Sequence, residues 1–191
     1  MKRTEKMEIT ISWLTISIAF AILMSRPFFD ILQFTISFPI ALVTVGAGFV
    51  LHELAHRSVA RHFGAHAEYR AWQTGLVFAI ISAFFGFIFA APGAVYIYGN
   101  LNRKQNGMVS LAGPATNILV AIGFGLLALS NISDLTGLVG NMGFRINMFL
   151  ALFNLIPFGP LDGGKVFVWS KAVWAAAATI AFIGVFVVPG F

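Results

Sequence analysis

The segment "FVLHELAHRSVARHFG", residues 49–64, places two histidines and a glutamate inside an apolar stretch of the chain. Ionisable side chains are expensive to desolvate in a bilayer and are usually functional there. Residues four apart share one face of a helix, so His52 and His56 can direct their imidazoles at one metal ion. Glu53 is rotated about 100° from His52 and can reach a metal-bound water. The HExxH pattern therefore predicts a metal site with a carboxylate base beside it.

The composition around this motif is that of a membrane protein. Of the 191 residues, 59% are hydrophobic and 10% are charged, and the mean hydropathy is +0.88, whereas soluble domains are about half apolar and a quarter charged. The absence of cysteine excludes disulfides and thiolate ligands. No run of basic residues is longer than the pairs Lys2-Arg3 and Arg103-Lys104, which argues against a nucleic-acid partner. The apolar segments cover 9–24, 38–63, 72–98, 108–130, 141–158 and 166–189.

A catalytic zinc needs a third protein ligand and one open position. The segment "FNLIPFGPLDGGKVF", residues 153–167, offers Asp162. Pro157 and Pro160 break the helix there, and irregular backbone at membrane depth is tolerated where it lines a cavity or is buried in protein. A carboxylate at this break predicts a ligand. The alternative is a helix cap at the interface, for a helix that begins near Lys165.

Other acidic and histidine side chains fit the site less well. His62 falls at the third histidine of the pattern HExxHxxGxxH, but Val59 replaces the glycine that would turn the chain. If the helix continues, His62 lies about 15 Å further along it. His66 is expected at the membrane surface, Glu68 in a polar turn and Asp134 in a turn or helix cap.

Three motifs together resemble those of the site-2 proteases, which are intramembrane zinc metalloproteases that cut transmembrane segments of other proteins. The motifs are "HELAH" (52–56), "LAGPATN" (111–117) and "NLIPFGPLDGG" (154–164). The resemblance covers about 38–166, the catalytic core, and suggests a minimal form without PDZ or CBS domains. It implies one Zn²⁺ per chain, with His52, His56 and Asp162 as ligands and Glu53 as the general base that activates the zinc-bound water.

The same resemblance implies roles for two asparagines. Asn154 would bind the substrate backbone or stabilise the oxyanion of the transition state, as a side-chain amide can. Asn117 also matches a family position, and substrate binding and an interhelical hydrogen bond remain alternatives for it.

The predicted function is hydrolysis of peptide bonds within or near transmembrane segments of membrane-protein substrates, in a lipid bilayer. A substrate helix must unwind before attack, and an exposed strand edge could bind the unwound segment. The segment "APGAVYIYG" (91–99) is the candidate strand. Two alternatives remain, namely an ion or proton relay in a transporter and an inactive metal-binding scaffold. The sequence does not indicate the oligomeric state.

The predicted fold is an all-α polytopic membrane protein, a single domain over 1–191 with about five transmembrane helices. The basic residues near the N-terminus place that end in the cytoplasm. Segment 72–98 is predicted to return to the cytoplasmic side as a re-entrant hairpin with a short β element, and two tightly joined thin crossings are the alternative. If it crossed fully, Asp162 would lie near the external face, too far from His52 to share a metal. The active site is therefore expected nearer the cytoplasmic face.

Overall fold

The computed structural model describes residues 1–25, 29–88, 92–130 and 132–188, and 76% of these residues are helical. The helices are α1 (Arg3–Met24), α2 (Ile31–Ala41), α3 (Ala47–His62), α4 (Gln73–Phe84), α5 (Arg103–Leu129), α6 (Asp134–Asn154), α7 (Asp162–Trp169) and α8 (Lys171–Phe186). A π-helical turn, Leu42–Gly46, joins α2 to α3, and two strands, β1 (His66–Ala71) and β2 (Gly93–Tyr98), form one small sheet. The predicted all-α fold with a short β element is confirmed.

Four helical stretches in the described part of the chain are long and apolar enough to cross a membrane. They are α1 with 22 residues, the continuous Ile31–His62 with 32, α5 with 27 and α6 with 21. The last apolar segment differs from the expected single span, because Ser170 adopts an extended backbone and separates α7 from α8. Its hydroxyl accepts a hydrogen bond from the Val173 amide and caps α8. With 16 residues, α8 is shorter than the roughly 20 that a perpendicular crossing needs.

The HExxH motif lies on the second half of the longest helical stretch. Asp30 begins this stretch by accepting hydrogen bonds from the amides of Leu32 and Gln33. Pro39 lies inside α2 and contributes no amide donor, and the π-helical turn follows three residues later. Beyond that turn α3 continues without a break to His62. The chain therefore does not turn back at Val59, which agrees with the expected straight helix.

Segment 72–98 forms a helix followed by a strand, and its two ends lie side by side. The Trp72 amide donates to the Pro92 carbonyl at 3.0 Å. The chain that leaves β1 through α4 thus returns to the same end of the sheet. Helix α4 has 12 residues, about 18 Å, which is too short to cross the hydrocarbon. The candidate strand is confirmed over Gly93–Tyr98, and Ala91 lies outside the described residues.

Carboxylates of α1 bind the edge of β1 that faces away from β2. The Tyr69 amide donates to Glu5 at 3.2 Å, and the Ala71 amide donates to Glu8 at 2.9 Å. Successive amides of a strand point to opposite edges, so these two are the ones that the sheet leaves unpaired. Only β2 keeps an edge to which no described side chain is bonded.

Contacts within the chain divide it into two compact units. The first comprises Met1–Val50 and Glu68–Tyr96, and the second comprises Leu51–Ala67 and Ile97–Phe191. In the second unit α5 packs closely along α6, and Gly140 permits this because an added Cβ would lie 2.5 Å from the Ala128 amide nitrogen. The predicted single domain over 1–191 stays a prediction.

Candidate metal centre

Three side chains of the second unit converge on one point. His52 and His56 lie one turn apart on α3, and Asp162 is the first residue of α7. The two Nε2 atoms are 2.9 Å apart. Oδ2 of Asp162 lies 3.4 Å from Nε2 of His52 and 3.1 Å from Nε2 of His56. Ligand atoms of all three lie within 4.8 Å of one another. Among the described residues, this is the one cluster of histidine, aspartate or glutamate that could hold a metal ion.

Hydrogen bonds to α5 determine which nitrogen of each imidazole faces this point. Nδ1 of His56 lies 2.7 Å from the Val109 carbonyl, which can only accept, so this Nδ1 donates. Nδ1 of His52 bonds to the Asn117 side-chain oxygen, while Nδ2 of Asn117 donates to Asn147 at 2.9 Å. Both Nδ1 atoms therefore carry the proton, and both Nε2 atoms present lone pairs to the same place.

The donor set fits a zinc ion. Two facing lone pairs and a carboxylate repel one another in a buried site, and a cation between them removes that repulsion. Two imidazoles and one carboxylate are a ligand set of catalytic zinc. Gly113 on α5 leaves the necessary space, because an added Cβ would lie 2.4 Å from Nε2 of His56 and 2.5 Å from Nε2 of His52.

The break between α6 and α7 places Asp162 opposite the imidazoles. Helix α6 ends at Asn154, and the loop after it is bonded to α8, since Nε1 of Trp174 donates to the Leu155 carbonyl at 2.7 Å. The carboxylate oxygen thus faces the two Nε2 atoms and completes a set of three potential metal ligands.

The remaining predicted residues occupy distinct positions. Glu53 is buried on α3 directly after His52. Asn117 is buried, and its bonds to His52 on α3 and Asn147 on α6 are the interhelical alternative that the sequence left open. Asn154 is half-buried, and its Nδ2 donates to the Leu150 carbonyl at 2.9 Å. His62 is exposed at the end of α3, outside the cluster.

Sequence reasoning missed Asn147. Its side chain is fully buried on α6, accepts from Asn117 and donates to the Gly143 carbonyl at 2.8 Å. A lone amide in an apolar span is a signal that could have found it, since such groups commonly bond between membrane helices. Its partner, however, lies 30 positions earlier in the chain.

The fold and the site define a polytopic helical membrane protein with a metalloprotease motif, and comparison with known proteins identifies its relatives. The chain is 48% identical over 166 residues to "Putative zinc metalloprotease MJ0611" of Methanocaldococcus jannaschii, covering 85% of each chain. YwhC of Bacillus subtilis, with the same description, is 30% identical over 67% of each chain. Rip3 of Mycobacterium tuberculosis, described likewise, is 32% identical over 65% of this chain and 30% of its own. No protein-family model and no solved structure matches.

The chain belongs to the site-2 protease-like family of zinc metalloproteases.

Proposed function

We propose that the protein is an intramembrane zinc metalloprotease that hydrolyses peptide bonds within or near transmembrane segments of membrane proteins. The convergence of His52, His56 and Asp162 between apolar helices carries this proposal. The names of the relatives support a protease. A site among membrane helices suits substrates that are themselves embedded in lipid.

In this proposal each residue of the site has one task. His52, His56 and Asp162 bind one Zn²⁺ per chain. When bound, zinc acts as a Lewis acid and makes water more acidic. Glu53 accepts a proton from the attacking water at its carboxylate and transfers it to the leaving amine. Its burial keeps the proton transfer away from bulk solvent.

The two predicted asparagines have different tasks. Asn117 orients His52, because both ends of its amide are bonded at the site. Asn154 would bind the substrate backbone or the oxyanion after giving up its bond to the Leu150 carbonyl. Replacing Asn154 with alanine should retain zinc and lower turnover of a membrane substrate. Unchanged turnover would reject this role.

The outer edge of β2 is the proposed binding site for the unwound substrate segment. Carboxylates already bond the outer edge of β1, so β2 supplies the edge at which a peptide can add as a further strand. Main-chain hydrogen bonds then replace those that the substrate helix loses when it unwinds.

The membrane orientation is also a proposal. Lys2, Arg3 and Lys6 favour a cytoplasmic N-terminus, and the adjacent ends of segment 72–98 return the chain to the side from which it left. The start of α5, with Arg103 and Lys104, then lies in the cytoplasm. In this proposal the site lies nearer the cytoplasmic face.

Reconstitution in liposomes tests the function. The purified protein should contain one zinc per chain and cleave a co-reconstituted transmembrane substrate. Cleavage should stop with a zinc chelator and resume after zinc is restored. Zinc without cleavage of any of a panel of transmembrane substrates would favour the scaffold. Absence of zinc, together with proton or ion flux through the liposome membrane, would favour the relay.

A further inference from the structure

Arg145 lies in the middle of a candidate membrane span and faces outward. Helix α6 runs from Asp134 to Asn154, and the Arg145 side chain is exposed. Eleven residues separate it from the start of α6 and nine from the end, about 16 Å and 13 Å along the axis. An arginine side chain covers only part of either distance when it extends toward the interface. In a bilayer that α6 crosses, the guanidinium therefore lies within the apolar depth.

The described residues supply only part of the hydrogen bonding that this cation requires. Nε of Arg145 donates to the Asn141 side-chain oxygen at 3.2 Å, one turn earlier on the same helix. A guanidinium has five N–H donors and keeps its charge at all relevant pH values. In the described part of the chain, Arg145 forms no ion pair with a carboxylate. An arginine in the middle of a span is costly to insert into a bilayer, so it usually has a partner.

The surroundings of Arg145 are suited to another helix. Leu138, Phe149 and Phe153 share its face at helical spacing and are 49%, 54% and 44% exposed. We define this set, with Asn141 and Arg145, as the α6 outer face. Asn147, bonded to the metal-site network, lies on the opposite side, only two residues or about 3 Å further along the axis. The α6 outer face is thus at the depth of the metal site but is not part of it.

A second copy of this chain cannot supply the missing carboxylate. The chain has seven acidic residues, and all lie in its described part. Asp162 belongs to the histidine cluster and Glu53 is buried on α3, while Asp30 and Asp134 are at helix starts. Glu5, Glu8 and Glu68 are bonded around β1. None is exposed in the middle of a span.

We propose that the α6 outer face binds a transmembrane helix of another protein, through an ion pair between Arg145 and an aspartate or glutamate in the middle of the partner's span. The aromatic and leucine side chains pack against the partner helix, and the ion pair determines which helix is accepted. This surface is separate from the proposed catalytic chemistry.

Binding of designed peptides in nanodiscs tests the proposal without proteolysis. The full chain carries Glu53→Gln so that peptides are not cut, and the probes are 21-residue leucine-alanine helices with Asp, Leu or Lys at position 11. The Asp peptide should bind about tenfold more tightly than the Leu peptide, since interhelical polar pairs contribute about 1–2 kcal/mol. Equal binding of these two peptides would overturn the proposal.

Three variants in the same background separate the pair from general charge effects. Arg145→Leu should lose the preference for the Asp peptide, and Arg145→Glu should instead prefer the Lys peptide. Lys104→Leu removes an exposed cation at the start of α5 and should keep the preference. Persistence of the preference in Arg145→Leu, or its loss in Lys104→Leu, would contradict the assignment. Arg145→Leu should also keep its zinc and a Tm at least equal to that of the parent, because it removes a charge from an apolar surface.

Discussion

Each imidazole of the candidate metal site is oriented by an acceptor on α5. His56 bonds to the Val109 carbonyl, and His52 bonds to Asn117, whose amide is held in turn by Asn147. Such outer partners fix the tautomer and increase the basicity of the ligand nitrogen. The position of a side chain on α6 should therefore influence zinc binding at α3.

Replacing Asn147 with leucine should weaken zinc binding about 10- to 100-fold, the usual effect of removing an outer partner. The Asn117 amide would lose its acceptor and could rotate away from His52. Competition with a calibrated chelator measures the affinity. Asn147→Asp keeps the acceptor oxygen and should restore most of the affinity and the visible spectrum of the cobalt-substituted protein. Equal zinc affinity of the leucine variant and wild type would reject the positioning role.

Asp162→Ala should lose bound zinc, whereas His62→Ala should retain it. Asp162 supplies an anionic oxygen 3.1 Å from Nε2 of His56, and His62 is exposed outside the cluster. Elemental analysis of the two purified variants measures the difference. The reverse pattern would show that the third ligand is the histidine of the longer motif.

The sequence predicts the local parts of this site and not its distant supports. The four-residue spacing of His52 and His56 determines their common face whatever surrounds them. Asp162 is predictable because prolines break the helix before it. The bonds of Asn147 and of the Val109 carbonyl depend on how α5 packs between α3 and α6, and no local pattern encodes that packing.

At the scale of elements, the main feature is that segment 72–98 begins and ends at one end of the sheet. The turn-forming and β-prone residues of 91–99 predict the strand. The return of segment 72–98 to the cytoplasmic side is predicted because Asp162 must lie at the same membrane depth as His52. The bonds from Glu5 and Glu8 to β1 were not predicted, because they join residues more than 60 positions apart. These bonds occupy the outer edge of β1, which is why the proposed strand addition uses β2.

Val95→Pro should weaken substrate cleavage while preserving zinc content and the fold. Trp72 bonds to Pro92, so by alternation the Val95 amide points to the outer edge of β2 and the Ala94 amide points to β1. Proline at the outer-facing position removes a donor that only a bound peptide would use. The matched variant Ala94→Pro should lower the Tm, because it removes a bond of the sheet. Wild-type KM and kcat in Val95→Pro would contradict strand addition.

Cysteine labelling tests the return of segment 72–98, in a chain that has no native cysteine. Lys104 is exposed in the first turn of α5, and Ile132 is exposed just before the start of α6. A cysteine at position 104 should react with an impermeant reagent from the cytoplasmic side, and one at 132 from the external side. Labelling of position 104 only from outside would contradict the hairpin and the proposed depth of Asp162.

At the scale of the whole molecule, composition predicts the membrane environment directly, while helix length determines how many spans are complete. The sequence indicates about five spans, and the described residues contain four long helices and the shorter α8. The difference arises at Ser170, whose side chain caps α8. This cap divides the apolar segment 166–189, which the sequence predicts as one continuous span, into α7 and α8. For Arg145, a cation in the middle of one of the described spans, we propose a partner outside the chain.

The substitution Glu53→Gln tests the central claim most directly. The amide keeps the shape of the side chain but cannot accept a proton, so cleavage of a transmembrane substrate in liposomes should fall about 10²- to 10⁴-fold. Zinc should remain at one ion per chain, and the control Asp134→Asn, which removes an exposed carboxylate at the start of α6, should cleave like wild type. Zinc-loaded Glu53→Gln with activity within a few-fold of wild type would contradict the account.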